Sequence, residues 1–198
     1  MCGRYYIDED MVEEILKVVR YADRRLREWR GARDVYPNQA APVVTGREEE
    51  LSGEIFVWGF PGYQGKGVIF NARQESAYEK KMFRGSMEQR RCVIPVSSFY
   101  EWDRHKNKFT FTRDGDRVMY LAGCYNSYQG EERFVILTDE ANACMKPVHD
   151  RMPLVLEREE IRDWIFSREK AAVIQKRKSL DLQRVSGYYQ ERLPLDMR

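Results

Sequence analysis

The chain has 198 residues, of which 42% are hydrophobic, 13% aromatic and 33% charged. That content suits one domain with its own core and excludes a disordered chain, and no run approaches the roughly 18 apolar residues of a membrane span. Lys plus Arg total 34 against 32 acidic residues, a net charge of +2, which excludes a uniformly basic coat for nucleic acid. The basic count is nonetheless skewed, with 24 Arg and 10 Lys, and Arg is the side chain for planar, bidentate contact with carboxylate or phosphate.

In chain order, residues 8–30 read as one helix. Val12, Ile15, Leu16, Val19, Ala22, Leu26 and Trp29 recur at spacings of three and four, with Asp8 as N-cap and Gly31 as the stop. Arg20, Arg24, Arg25 and Arg27 then lie mostly on its outer face, more simply a solvated face than a nucleic-acid patch. Short apolar runs follow at 41–44, 54–60, 68–71, 91–102, 109–112, 118–125, 134–138 and 154–156, all strand candidates. Asp114-Gly115, between two of them, is a hairpin signal. Residues 76–83 and 86–90 read as short helices, the second opened by a Ser86/Gln89 capping box. A helical turn is expected over 140–146, an amphipathic helix over 157–165 with Ile161, Trp164 and Ile165 on one side, and a basic surface helix over 168–178. No linker or repeat divides the chain. The order predicts an α+β fold, a single domain with a curved, barrel-like, mostly antiparallel β-sheet and flanking helices, in which 167–198 is a C-terminal extension.

The four cysteines, Cys2, Cys92, Cys124 and Cys144, form no C-x-x-C pair and are too dispersed for a zinc site. Residues 1–5 have no basic n-region or apolar h-region, so a reducing cytosol with free thiols is expected. Four segments could carry chemistry. Cys2, exposed by removal of Met1, would hold an α-amine and a thiol on one residue; their reference pKa values of about 8 and 8.5 leave both partly reactive near neutrality. Such a 1,2-aminothiol condenses with an aldehyde to a Schiff base and closes a thiazolidine; its other chemistry is acyl transfer with the amine as base. Gly3 permits close approach and Arg4 supplies an anion contact. Asn71-Ala72-Arg73-Gln74-Glu75 follows an apolar strand, where Asn orients an amine or sugar oxygen and Arg73 binds phosphate; an Asx turn with a surface ion pair is the plainer alternative. In Ser98-Phe99-Tyr100-Glu101-Trp102 a carboxylate stands between aromatics, either desolvated for proton transfer or exposed on an alternating strand. His149, in Val148-His149-Asp150-Arg151-Met152-Pro153, is a proton shuttle or a structural histidine, whereas His105 sits in a charged, solvated turn.

Cys2-Gly3-Arg4, Asn71-Ala72-Arg73-x-Glu75, Phe99-Tyr100-Glu101-Trp102 and His149-Asp150-Arg151-Met152-Pro153, in that order, closely resemble the SOS-response-associated peptidase (SRAP) family from residue 2 to about 166. The resemblance implies a sensor of abasic sites in single-stranded DNA whose N-terminal Cys forms a thiazolidine crosslink with the ring-opened sugar. It implies Cys2 as nucleophile, Asn71 orienting its amine or the sugar, Glu101 moving protons, and His149 assisting ring opening and crosslink reversal. It also implies Arg4, Arg73 and Lys81 as phosphate contacts, and Asn38, Trp102 and Thr138 along the DNA groove. Removal of Met1, no cofactor, no metal, no membrane, a monomer, and a cytoplasmic site with nucleoid association on DNA complete the expectation. Tyr63-Gln64 stands where the family often has Trp. Two other readings remain open: an N-terminal-nucleophile hydrolase or amidotransferase, and a non-covalent single-stranded DNA-binding module.

Overall fold

The structure is a computed structural model that describes residues 2–113, 115 and 117–186. Its first half contains β1 (Tyr5–Ile7), α1 (Met11–Leu16), β2 (Tyr21–Ala22), α2 (Arg24–Arg27), β3 (Arg33–Val35), β4 (Ala40–Arg47), β5 (Glu50–Trp58), β6 (Phe60–Pro61), β7 (Val68–Ile69), β8 (Asn71–Arg73), α3 (Gln74–Ala77) and α4 (Lys81–Gln89). The second half contains β9 (Arg91–Val96), β10 (Ser98–Trp102), β11 (Lys108–Thr112), β12 (Met119–Tyr128), β13 (Glu131–Glu140), β14 (Arg151–Pro153), β15 (Val155–Leu156), α5 (Glu160–Phe166), α6 (Arg168–Lys176) and β16 (Gln183–Ser186).

The strands make an α+β single domain with a barrel at its centre. Strands β13, β12, β9, β4 and β5 follow one another around a sheet, and a parallel pairing of β13 with β5, Arg133 to Val57 and Phe134 to Trp58, closes it on itself. Closure removes the open edges that a long sheet would otherwise present. Every residue of β9 is buried, as expected of a strand covered on both faces. A second, five-stranded sheet in the order β16, β11, β10, β1, β3 packs beside the barrel. Trp58, Phe134, Tyr5, Phe99, Phe111 and Trp164 are fully buried in one continuous core. The Trp164 indole N–H donates to the Cys92 carbonyl at 3.0 Å and so seats α5 on the barrel.

The expected antiparallel, barrel-like sheet is present, and so is the amphipathic helix, as α5 with Ile161, Trp164 and Ile165 buried. Four local expectations are corrected. Residues 8–30 are not one helix: α1 and α2 are separated by β2, which pairs parallel with β5. The break is set by tertiary packing. The Leu26 and Ile15 side chains close on Gly53, where an added Cβ would come within 2.4 Å of Leu26, and Asp23 caps α2 by accepting from the Arg25 N–H at 2.8 Å. The strands flanking Asp114-Gly115 do not pair with each other; β11 joins β10 and β16, whereas β12 joins β9, β13 and β15. Asp114 itself lies outside the described residues. The barrel hairpin instead turns at Gln129-Gly130, both at positive φ (54° and 82°), joining β12 to β13. The boundaries of α3 and α4 place Ser86 inside a helix, fully buried, so it opens no capping box. Residues 143–148 form turns, not a helix, because β13 continues to Glu140.

Candidate functional site

The site lies where the N-terminal strand of the side sheet meets the barrel. β1 runs antiparallel to β10 with Tyr5 opposite Phe99, and the Tyr100 N–H donates to the Arg4 carbonyl at 3.0 Å. Continuing that register brings Cys2 and Gly3 alongside Trp102 and Glu101. Alternation along β10 turns Glu101 inward, 4% exposed, and leaves Trp102 on the solvent face, 39% exposed. Cys2 is buried, and its Sγ lies 3.6 Å from the Arg4 carbonyl. Burial pushes the thiol up to about 12, and the nearby Glu101 carboxylate pushes the same way. At neutral pH the sulfur therefore keeps its proton.

Asn71 comes from the barrel side. It opens β8, which pairs parallel with β13, and its Nδ2 donates to the Cys2 carbonyl at 2.9 Å. Its Oδ1 is buried without a hydrogen-bond partner among the described residues. An aromatic floor supports the junction. The Tyr5 ring sits 4.9 Å from Trp58, and Trp58 stacks on Phe134, meets Phe70 edge-on and donates to the Phe70 carbonyl at 2.9 Å. The Tyr5 hydroxyl is buried without a partner among the described residues, and burial holds it protonated.

Arg4 points to the other face of its strand. Its guanidinium pairs with Asp34 and lies 5.1 Å from the Tyr36 ring centroid and 5.0 Å from that of Tyr100. Lys108 stacks on Tyr100 at 3.7 Å. Two cations and two rings therefore alternate across the strands of the side sheet, an arrangement suited to bases and phosphates. Burial, with Asp34 beside it, raises the Tyr100 hydroxyl.

On the barrel rim, Thr138 stands between Arg73 of β8 and Pro153 of β14. Arg151 binds Glu75 bidentately at 2.7 and 2.9 Å and donates to the Thr138 carbonyl at 2.7 Å. Burial opposes the charge on Glu75, but the hydrogen bonds and charge of Arg151 outweigh it and hold the carboxyl below its usual range. The Arg151 N–H donates to His149 Nδ1 at 2.9 Å, and Asp150 Oδ1 lies 2.8 Å from the same nitrogen. One nitrogen cannot accept from the amide and donate to the carboxylate together. The amide direction is fixed by the backbone, whereas the Asp150 side chain is 88% exposed and free to turn. The amide bond therefore uses Nδ1 as an acceptor and leaves Nε2 as the ring nitrogen able to donate. Asn71, Arg73 and Lys81 line a common cavity of about 480 Å³.

The structure thus brings Cys2, Asn71 and Glu101 together, and groups Arg73 and Lys81 with Asn71. Thr138 is fully buried and reaches the rim through Arg151. Asn38, at φ 69°, accepts at its Oδ1 from the Arg133 guanidinium at 3.1 Å and donates its N–H to the Trp58 carbonyl. Tyr63 is 81% exposed. Sequence reasoning missed Tyr5, Asp34, Tyr36, Tyr100 and Lys108 as partners of the site, and the alternative that paired Glu75 with Arg73 is corrected to a pair of Glu75 with Arg151. The Asn-Ala-Arg-x-Glu spacing was their available signal; no local pattern links Asp34 to Arg4. All four cysteines are free, and no group of three or more His, Cys, Asp or Glu among the described residues could hold a metal. No helix among the described residues is long and apolar enough to cross a membrane.

Fold and site together define an α+β barrel protein that holds a buried cysteine beside a buried carboxylate and an amide. The comparisons agree: the chain belongs to the SOS response associated peptidase (SRAP) family, whose profile matches residues 1–188. It is 29% identical over 180 residues to the abasic site processing protein YedK of Escherichia coli, covering 83% of this chain and 79% of that one. It is also 29% identical to the abasic site processing protein YoaM of Bacillus subtilis, with the same coverage. The abasic site processing protein HMCES of Xenopus tropicalis is 27% identical over 123 residues, 48% of this chain and 37% of its own. Among solved structures, a Bacteroides thetaiotaomicron protein superposes with a TM-score of 0.81 at 20% identity, covering 93% of this chain and 91% of that one. A Bordetella bronchiseptica protein gives 0.78 at 20% identity, covering 93% and 99%. These two likenesses concern the fold alone.

Proposed function

We propose that the protein processes abasic sites in single-stranded DNA by forming a thiazolidine crosslink through Cys2 once Met1 has been removed. The observation that carries this reading is the convergence on one residue of the Asn71 amide, at 2.9 Å from the Cys2 carbonyl, and the Glu101 carboxylate, beside its thiol. The names of the curated relatives point to the same lesion.

With its thiol held protonated, Cys2 attacks first through its amine. The neutral amine adds to the sugar aldehyde carbon and water leaves, giving the imine. The sulfur then adds to that carbon, closing the five-membered ring. Its proton passes to Glu101 and on to the ring nitrogen, so the net loss is one water. Asn71 orients the attacking residue through its carbonyl. The His149 Nε2–H hydrogen-bonds the sugar ring oxygen as the closed form opens, a step in which the C1 hydroxyl loses a proton and the ring oxygen gains one, leaving the imidazole unchanged. Arg4, Arg73 and Lys81 hold phosphates, and Trp102 offers a stacking face. Asn38 and Thr138 support the groove through Arg133 and Arg151. Action as a monomer, in the cytoplasm and on the nucleoid, belongs to the same reading.

The test is a denaturing gel with a uracil-glycosylase-treated single-stranded oligonucleotide, read beside intact mass spectrometry for loss of Met1. Cys2→Ala should abolish the shifted band, and Glu101→Gln should slow its formation. Equal crosslinking by wild type and Cys2→Ala would end the proposal. Glutaminase activity instead would favour an amidotransferase.

A further inference from the structure

Helices α3 and α6 face each other across a cleft of about 410 Å³, lined by Gln74, Glu75, Tyr78, Arg168, Ala172 and Lys176 among others. It has features that the crosslinking chemistry does not use. Gln74 is 8% exposed; its Nε2 donates to the Gln175 carbonyl at 3.2 Å and ties the helices together. Its Oε1 is buried with no hydrogen-bond partner among the described residues, and so is the Tyr78 hydroxyl. An acceptor left dry costs free energy comparable to a lost hydrogen bond. The Arg168 guanidinium lies 5.7 Å over the Tyr78 ring. Neither Arg168 nor Lys176 forms an ion pair among the described residues, whereas the one carboxylate on the rim, Glu75, is already bound by Arg151.

These groups match the parts of a nucleotide. A base edge offers an N–H to Gln74 Oε1, while the remaining Nε2 hydrogen can meet a base acceptor. The 5.7 Å between the Tyr78 ring and the Arg168 guanidinium is a single stacking layer, so a flat base adds to that stack and is not inserted into it. A phosphate matches the two unpaired cations. The position suits it too: β8 leads from Asn71 into Gln74, about 10 Å along an extended backbone. A strand held over Arg73 therefore reaches this cleft. We propose that the cleft is a subsite for one intact nucleotide of the same single strand that carries the lesion, with its base on Gln74 and Tyr78 and its phosphate on Arg168 and Lys176. The inference rests on the function proposed above.

The test uses single-stranded oligonucleotides carrying a non-reactive abasic analogue. Flanking nucleotides are replaced one at a time by a base-less spacer, and equilibrium affinity is measured. Wild type should lose roughly 5- to 150-fold at one flanking position, the range for one stacked base. Ala172→Trp, which fills the cleft, should abolish the sensitivity at that position. A second variant, Arg168→Glu with Lys176→Glu, changes only exposed side chains and so tests the cleft even if the tryptophan variant melts early. It should abolish the same sensitivity and make the salt dependence of binding shallower by about one phosphate contact. Two results would overturn the subsite: no flanking position with a base effect in wild type, or the same effect retained in both variants at unchanged melting temperature. Competition by dAMP alone, matching that of the intact oligonucleotide, would assign the cleft to free nucleotides and overturn the strand reading. Crosslinking of a reactive abasic oligonucleotide is scored separately. If it proceeds while the base effect is absent, the subsite fails and the proposed function stands. If it is absent while the base effect persists, the lesion chemistry fails and the cleft serves intact single strands.

Discussion

Replacing Arg151 by Met separates the two jobs of one side chain. The guanidinium is 9% exposed, and it holds the Thr138 carbonyl and, bidentately, Glu75. Met keeps much of the aliphatic stem, so packing changes little. The charge-assisted bond to the buried Thr138 carbonyl contributes about 1.5–3 kcal/mol. Glu75 is 52% exposed, and screening limits its share to that of a surface pair, at most about 1 kcal/mol. The sum is about 3 kcal/mol, which for a chain of this size lowers Tm by roughly 6–12 °C. Glu75→Gln should cost only about 2–4 °C. The assay is thermal unfolding of both variants and of the double variant. Equal losses in the two single variants, or a loss under about 2 °C in Arg151→Met, would refute the apportionment between Thr138 and Glu75. The pH dependence gives a second check. The folded carboxyl of Glu75 lies below its ordinary value, so its contribution is full above about pH 4.3 and fades as pH falls through the folded value. The gap between wild type and Glu75→Gln should narrow only on the acid side.

Residue-resolved alkylation should find Cys2 slow at neutral pH, because its thiol stands near 12. Glu101→Gln removes a negative charge beside it and should shift the alkylation profile to lower pH; an unchanged profile would remove Glu101 from the thiol's surroundings. Gly123→Ala should destabilise by about 1–3 kcal/mol, because the new Cβ would lie 2.6 Å from the Val135 backbone oxygen; chemical denaturation reads it. Gly85→Ala should do the opposite. Inside α4 the added Cβ meets only the end of Arg90, at 3.4 Å, and helix propensity gains about 0.8–1 kcal/mol, visible as a higher Tm.

Much of the centre was legible because its signals are local. A cysteine at position 2, an Asn-Ala-Arg run after an apolar strand and a Glu between aromatics each announce a chemistry within a few residues. The amphipathic period of α5 was equally local. The failures share a different cause. The helix expected over 8–30 is broken by contacts with Gly53, which no window around Leu26 contains. The turn at Gln129-Gly130 was passed over for Asp114-Gly115 because turn propensity alone cannot tell which strands will pair. The bond from Asn71 to the Cys2 carbonyl spans 69 positions, and the pairing of Arg4 with Asp34 depends on β3 lying beside β1. Sequence spacing carries residue types; the sheet order decides which of them touch.

The closing strand has a further consequence, in the time domain. β13 pairs with β12 and β14 and also, in parallel, with β5 and β8. The barrel therefore cannot close until β13 has left the ribosome, long after β5. At about 5–20 residues per second the interval is roughly 4–15 s. Throughout it Val57 and Trp58, the residues that β13 pairs, present an unpaired apolar edge, the kind of surface that drives misassembly. Non-local closure of this type also slows folding itself. Expression yield should thus be governed by temperature and chaperone supply during synthesis, more than by the equilibrium stability of the finished barrel.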